Sequence, residues 1–440
     1  MSEKTTPLLV GCALAILPAV SLAADDTGGS MPQPAETAAV SLPAWESFAD
    51  ELKGLGQAMM LKLPERLRDD PQTQQEAGRL LLGALAARTL DALASDGDHP
   101  LFLPWIGATL NVLQPNVDTI YKKAVITPGG TYRIRGDRGS LRIFKMAQVY
   151  TFPEETGKVN PGIGVLTFND FNTLRVDSNG RFDVILSPSK PKGHTGDWWE
   201  LNPRAHGLLL RLVAYDWSTE RDPRLAIERL DAPVTRPRPS ADDLEQRLRS
   251  LALLTGNTAL ILADHVEGLR REGTINALKE WNVGGATLSK VGGLVGQFYY
   301  EGAYELAAEE ALIFETKVPE KCHYWSVILT NDLYETTDWY NQHSSINGAQ
   351  AHIDSDGMFR VVISAADPGV PNWLDTSGYP TGALQGRWTD CSENPIPKVR
   401  KVPIAEIRNH LPRDTPQVTA AQREQVIRER RAQLQWRVLW

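Results

Sequence analysis

The chain runs to 440 residues, of which 42% are hydrophobic and 23% charged, and it carries a formal net charge of −8. That length accommodates two or three domains with cores of their own, and the apolar content excludes an intrinsically disordered chain. The acidic balance excludes the basic face that a nucleic-acid partner requires and argues equally against adhesion to anionic lipid.

At the start of the chain, Lys4 precedes an apolar run over residues 8–20 and a small-x-small triplet, Ser21-Leu22-Ala23. This order predicts a signal peptide over residues 1–23 and a periplasmic or secreted protein. An apolar run of about 13 residues is too short for a bilayer core of roughly 30 Å, so no stable membrane insertion is expected. Leu9-Val10-Gly11-Cys12 has the shape of a lipid-attachment site, but most of the apolar run lies behind it rather than ahead. Residues 24–42, rich in Pro, Ala, Thr, Ser and Gly, read as an exposed leader.

From Pro43 the pattern turns helical. Trp45, Phe48, Leu52, Leu55 and Met59, then Leu80, Leu81, Leu85 and Leu90, recur at threes and fours around a break at Asp70-Pro71. After Trp105, short β-like runs follow over residues 131–135, 141–146, 164–168, 181–186 and 206–215. A proline-rich linker over residues 231–239 leads to Ser240, a helix N-cap with Asp243 three residues on. That helix carries Leu244, Leu248, Leu251 and Leu254 on one face, and a second helical stretch runs to about Glu272. Strands fill residues 311–388, and a tail from Thr419 reads as a helix carrying Arg423, Arg428, Arg430, Arg431 and Arg437 among Val426, Leu434 and Val438. A surface helix packed on the body is the expectation for that tail, with partner docking as the alternative.

Two stretches nearly repeat each other. Residues 176–187 read V-D-S-N-G-R-F-D-V-I-L-S and residues 353–364 read I-D-S-D-G-M-F-R-V-V-I-S. Trp105 and Trp281 are each followed by G-A-T-L, Ile120-Tyr121 answers Phe298-Tyr299, Asp197-Trp198 answers Asn372-Trp373, and Arg211 answers Arg387. Offsets of 175 to 178 residues held over this distance mean an internal duplication of a whole domain, too long a period for a solenoid. The expected fold class is α+β, mainly β. Two duplicated halves, residues 43–230 and 240–412, each carry a helical prefix followed by an antiparallel jelly-roll-like β-sandwich, and a helical tail covers residues 413–440. Features present in both copies then read as structural, and features of one copy as chemical. By that test Asp177 and Asp354 are turn residues rather than calcium ligands, and Trp198 and Trp373 are strand anchors with Arg211 and Arg387 as their packing partners.

Tyr324-Trp325-Ser326-Val327, Asn341 to Asn347 (N-Q-H-S-S-I-N), Asp367 to Leu374 (D-P-G-V-P-N-W-L) and Arg387-Trp388 resemble the bacterial family called domain of unknown function 1214. Asn116 to Tyr121 and Thr131 to Gly136 (T-Y-R-I-R-G) resemble the related domain of unknown function 1254. The resemblance implies two jelly-roll-like domains side by side, similar to some large-virus capsid folds, and brings no activity or catalytic residues with it.

Phosphate-loop, zincin and G-x-S-x-G motifs are absent from the sequence. Cys12 would leave with the signal, so Cys322 and Cys391 either form one disulfide in an oxidising compartment or stay as two thiols. The second copy holds what the first lacks: between Thr330 and His352 lie Asp332, Tyr334, Glu335, Asp338, Trp339, Tyr340, Asn341, His343, Asn347 and Gln350. Histidine beside carboxylate is material for acid–base catalysis, because its proton affinity lies near neutrality. The candidates are His343 as base, Asp338 as its orienter and Tyr340 as acid, with His352 alongside. Trp325, Trp339 and Trp373 with Asn341 and Asn347 suit a sugar ring or an apolar terpenoid- or sterol-like ligand, against the plainer reading of an aromatic core. Asn116, Asp118 and Tyr121 line the inter-domain cleft on one reading, and on the other Asn116 and Asp118 form a turn entering a strand. The expected function is a cofactor-independent hydrolase, lyase or isomerase acting on a small molecule, with no metal. The alternatives are a non-catalytic binding protein for a carbohydrate or apolar ligand and a structural or assembly role. Oligomeric state stays open, a homo-oligomer included.

Overall fold

Local sequence signals set the helix boundaries. In the computed structural model, which describes residues 44–151, 163–281 and 293–439, the first prefix folds as α1 (Trp45–Lys62), α2 (Glu65–Arg68) and α3 (Pro71–Ala94). The Asp70 carboxylate accepts the Thr73 N–H at 2.8 Å, and Pro71 occupies the first helical position, where its missing N–H costs nothing. The expected signal peptide, the leader and the second G-A-T-L run lie outside the described residues.

Nine strands follow: β1 (Leu103–Pro104), β2 (Thr119–Val125), β3 (Tyr132–Asp137), β4 (Ile143–Thr151), β5 (Ile163–Asp170), β6 (Arg181–Ser187), β7 (Asp197–Glu200), β8 (Gly207–Val213) and β9 (Arg224–Arg229). They form two sheets, ordered β1-β2-β8-β4-β5 and β7-β6-β3-β9. The second prefix is α4 (Ala241–Leu260), capped by Ser240 accepting the Asp243 N–H at 3.1 Å, and α5 (His265–Arg271). After it come β10 (Lys279–Glu280), β11 (Gln297–Glu305), β12 (Glu310–Lys317), β13 (Cys322–Thr330), β14 (Ser345–Asn347), β15 (Met358–Ser364), β16 (Trp373–Asp375), β17 (Thr381–Cys391) and β18 (Lys398–Pro403). Their sheets are ordered β10-β11-β17-β13-β14 and β16-β15-β12-β18. Adding nine to each strand number of the first half reproduces the second half, so the duplication is one of topology as well as of sequence.

Register confirms it residue by residue. Tyr121 pairs with Arg211 as Tyr299 pairs with Arg387. Trp198 donates its indole N–H to Ser187 Oγ at 3.0 Å, and Trp373 donates to Ser364 Oγ at the same distance. The two D-S-x-G turns place Gly180 and Gly357 at φ 77° and 79°, a conformation that penalises a Cβ, and lead directly into β6 and β15. Arg211 and Arg387 do not pack on Trp198 and Trp373 as expected. They stand over the Tyr121 and Tyr299 rings at 5.7 and 5.4 Å, in the first sheet of each half, because strand pairing puts each beside its tyrosine.

Alternation along the strands builds both cores and the seam between them. In β8, Leu208, Leu210 and Leu212 point into the first sandwich; in β17, Leu384 and Trp388 point into the second. The opposite faces of these sheets are also buried, because the halves dock through them, so polar residues there need partners inside the protein. Cys322 and Cys391, opposite each other on β13 and β17, are joined by a disulfide.

The tail closes the seam. Helix α6 (Ala420–Trp436) opens with a reciprocal cap between Thr419 and Gln422. Arg423, Arg430 and Arg437 lie seven residues apart, two turns, and so share one face. Arg423 reaches Asp367 at 2.9 Å, Arg430 donates to the Trp339 carbonyl at 2.8 Å, and Arg437 reaches Asp222 at 2.7 Å. The helix therefore straps the second half to the first, which is the packed-tail expectation with a specific chemistry.

Candidate functional site

Three groups of polar residues occupy the seam. The first centres on Asp118, fully buried at the entrance to β2. Its Oδ1 accepts from Trp217 Nε1 at 2.8 Å and Asn347 Nδ2 at 2.9 Å, and its Oδ2 accepts from the Tyr324 hydroxyl at 2.6 Å. Asn116 Nδ2 donates to the same hydroxyl at 2.9 Å, and the Asn116 N–H donates to Tyr121 OH at 3.2 Å. Burial raises the Asp118 pKa, and the three donors with the Arg430 charge offset only part of that. Asn116 and Asn347 thus tie the two halves together, and Tyr121 is bonded within the first half.

The second group is Glu301, which accepts the Tyr334 hydroxyl at 2.6 Å and faces His265 Nε2 at 2.9 Å. Tyr334 holds φ at 61°, a left-handed backbone that a bulky side chain adopts only under strong local constraint. That constraint is visible: Asn331 Oδ1 accepts the N–H groups of Leu333 and Glu335, both at 3.0 Å, folding residues 331–337 back onto the end of β13.

The third group forms a pocket of about 260 Å³ between α3, the loop before β2 and the loops after β13 and β16. Glu335 is its chemical centre. Only 2% of its surface is exposed, and burial raises its pKa above the ordinary carboxyl range, although Arg79 and Asn331 pull the other way. Both of its side-chain bonds, from Arg79 Nη2 at 3.0 Å and Asn331 Nδ2 at 2.8 Å, fall on Oε2. The Tyr379 hydroxyl on the same wall is pushed up to about 12 by burial and by its hydrogen bond to Glu76. Three further atoms of the lining, Trp339 Nε1, Asn111 Oδ1 and Ser377 Oγ, are buried without a partner. Unpaired buried polar atoms are uncommon, and three around one polar cavity mark a place where a polar guest would be held.

Of the sequence candidates, Asp338, Trp339 and Tyr340 line this pocket. Asp338 sits at the rim, accepting Asn341 Nδ2 at 2.7 Å, and does not orient a histidine. His343 lies elsewhere, buried with Nδ1 against the Trp373 carbonyl. Burial, with the charges of Arg430 and Arg423, lowers its pKa to about 3, so it is neutral at pH 7 and its geometry suits a structural hydrogen bond. His352 is half-buried, its backbone bonded to Asn372 Oδ1 at 2.8 Å and its ring 3.7 Å from Asp354. Trp325 packs edge-to-face against Phe359 in the second core, Trp373 packs under Arg423, and Asn341 accepts from Arg431. Glu335 belonged to the second-copy run that drew attention to Asp338, and its place immediately before Thr336-Thr337 gave no reason to prefer it. Arg79 comes from α3, some 250 residues away in sequence, and left no signal.

The comparisons add fold and family. A solved structure of a putative uncharacterized protein from Burkholderia cenocepacia is 29% identical, with a TM-score of 0.74 over 82% of this chain and 97% of that one. The VPA0106 protein from Vibrio parahaemolyticus is 13% identical with a TM-score of 0.44, over 74% of this chain and 98% of that one. No curated protein matches the chain. The match to the family model described as "Protein of unknown function (DUF1214)" covers residues 304–384, and the first half, with its likeness to domain of unknown function 1254, lies outside it. Over residues 304–384, which carry Glu335 and Trp339, the chain is therefore similar to the DUF1214 family.

Proposed function

We propose that the Glu335 pocket binds a small polyhydroxylated molecule of monosaccharide size and performs acid–base chemistry on it. The observation that carries this reading is a polar cavity whose lining brings Glu335 together with three side chains holding buried, unpartnered atoms, Trp339 Nε1, Asn111 Oδ1 and Ser377 Oγ. A carboxyl whose pKa burial raises keeps its proton to higher pH and can hand it to a leaving or ring oxygen, as a general acid does. Arg79, bonded to Oε2, would stabilise the carboxylate that remains. Hydrolase, lyase and isomerase chemistry all begin from such a proton transfer. A non-catalytic binding protein is the second reading, favoured by the same unpaired atoms, which need only a bound guest.

Export to the periplasm or the medium is part of the proposal. The signal-like run of residues 1–23 supports it, and so does the Cys322–Cys391 disulfide, since such bonds persist in oxidising compartments.

The test is a titration with glucose, galactose and myo-inositol followed by tryptophan fluorescence, repeated on Trp339→Phe and Glu335→Gln. A saturable change abolished by Trp339→Phe, with turnover lost in Glu335→Gln while binding persists, is the expected result. Turnover that survives Glu335→Gln would overturn the catalytic reading, and binding that ignores both substitutions would overturn the site.

A further inference from the structure

A second cavity, of about 560 Å³, shares no lining residue with the Glu335 pocket. It lies between the outer face of the first sandwich and helices α3 and α4, and its volume falls within the roughly 300–1,000 Å³ typical of small-molecule sites. Trp105, Val149, Leu209, Leu251 and Leu254 give it apolar walls. At one end stand three cations. Lys123 Nζ bonds Asp91 at 2.5 Å, Arg88 bonds Thr258 at 2.7 Å and Asp91 at 3.4 Å, and Arg247 is held by the carbonyls of Ala92 and Ser95. The rim carboxylates Asp96 and Asp98 are engaged by Arg236 and Arg229. Among the described residues, Asp91 is then the carboxylate left to balance Lys123, Arg88 and Arg247, and the end of the cavity is cationic.

The duplication shows that the fold does not require this arrangement. Lys123 pairs with Leu103 and Leu209, and the matching register positions of the second half hold Glu301 paired with Lys279 and Gln385. Where the second half has an acid bonded to Tyr334 beside a glutamine, the first has a cation beside a leucine. One scaffold thus carries opposite chemistry at one position, and the first copy's version faces a cavity. Lys123 commits one of its three protons to Asp91 and keeps two to donate.

We propose that this cavity is a ligand site for an amphipathic anion, a medium-length aliphatic chain ending in a carboxylate. The chain lies along Val149, Leu209 and Leu251, and the carboxylate meets Lys123 and Arg88. Burial lowers Lys123 to about 8, which leaves it cationic at pH 7.

Calorimetric titration with dodecanoate, and with dodecanol as the uncharged analogue, tests this. Lys123→Met keeps the side-chain length and removes the charge, so it should weaken dodecanoate at least tenfold and leave dodecanol unchanged. Ser250→Phe, introduced from the half-buried face of α4, should block both ligands. An unchanged circular dichroism spectrum, with a melting temperature that stays above the titration temperature in both variants, separates loss of the site from loss of the fold. Failure of dodecanoate to bind, equal binding by Lys123→Met, or indifference to Ser250→Phe would each overturn the proposal. Myo-inositol or glucose bound at the Glu335 pocket should not compete, so this site stands or falls apart from the proposed function.

Discussion

Replacing Asp118 tests the polar seam most sharply. Asp118→Ala removes an acceptor shared by three donors. Two of them have somewhere else to go: Tyr324 OH lies 2.9 Å from Ser326 Oγ, and Asn347 Nδ2 also donates to the Tyr215 carbonyl at 2.9 Å. The Trp217 indole N–H has Asp118 as its acceptor, so one buried donor is orphaned at about 1–3 kcal/mol, and the small void adds about 1 kcal/mol. The expected loss is therefore about 2–4 kcal/mol, measured by urea unfolding at pH 5. Asp118→Asn keeps an oxygen for Trp217 and should cost under about 1 kcal/mol. The pH dependence has a fixed sign. The folded carboxyl has a raised pKa, so its contribution is fullest below the unfolded value of about 3.9 and is lost as pH rises through the folded one. Stability of Asp118→Asn relative to the parent should accordingly climb between pH 4 and pH 8. An Asp118→Ala loss within about 0.5 kcal/mol of zero, or an Asn variant whose relative stability falls with pH, would refute the reasoning.

Arg437 and Asp222 form an ion pair with both side chains 3% exposed, so Arg437→Leu alone should cost about 3–5 kcal/mol, and the double variant with Asp222→Leu should recover much of that in a double-mutant cycle. The Cys322–Cys391 bond closes a span of 69 residues; replacing both with Ser should lower stability by up to about 4 kcal/mol, read as a drop in melting temperature. If Glu335 is the general acid, the rate should fall as pH rises through its elevated pKa, and Glu335→Gln should abolish that limb of the pH–rate profile.

The fold was legible because each half wrote it out. Repeats at Tyr121/Tyr299, Arg211/Arg387 and Trp198/Trp373 fall at matching register positions, and helix ends at Asp70-Pro71, Ser240 and Thr419 carry their own caps. The site was legible only in part. The excess of polar and aromatic residues after Thr330 pointed to the right segment, and Asp338, Trp339 and Tyr340 do line the pocket. The histidine did not follow, because residue type says nothing of burial: His343 is enclosed beside two arginines, and that environment removes its basicity. Glu335 gains its character from Arg79 and Glu76 on α3, partners that no local pattern could announce. The same holds for Arg211 and Arg387, whose partners are set by strand pairing rather than by neighbours in sequence.

The most direct test of the central claim is a crystal structure of the chain grown at saturating monosaccharide. The account predicts a sugar ring in the pocket beside Glu335, with hydroxyl groups hydrogen-bonded to Trp339 Nε1, Asn111 Oδ1 and Ser377 Oγ. A pocket holding nothing but water, with those three atoms served by it or left unpaired, would contradict it.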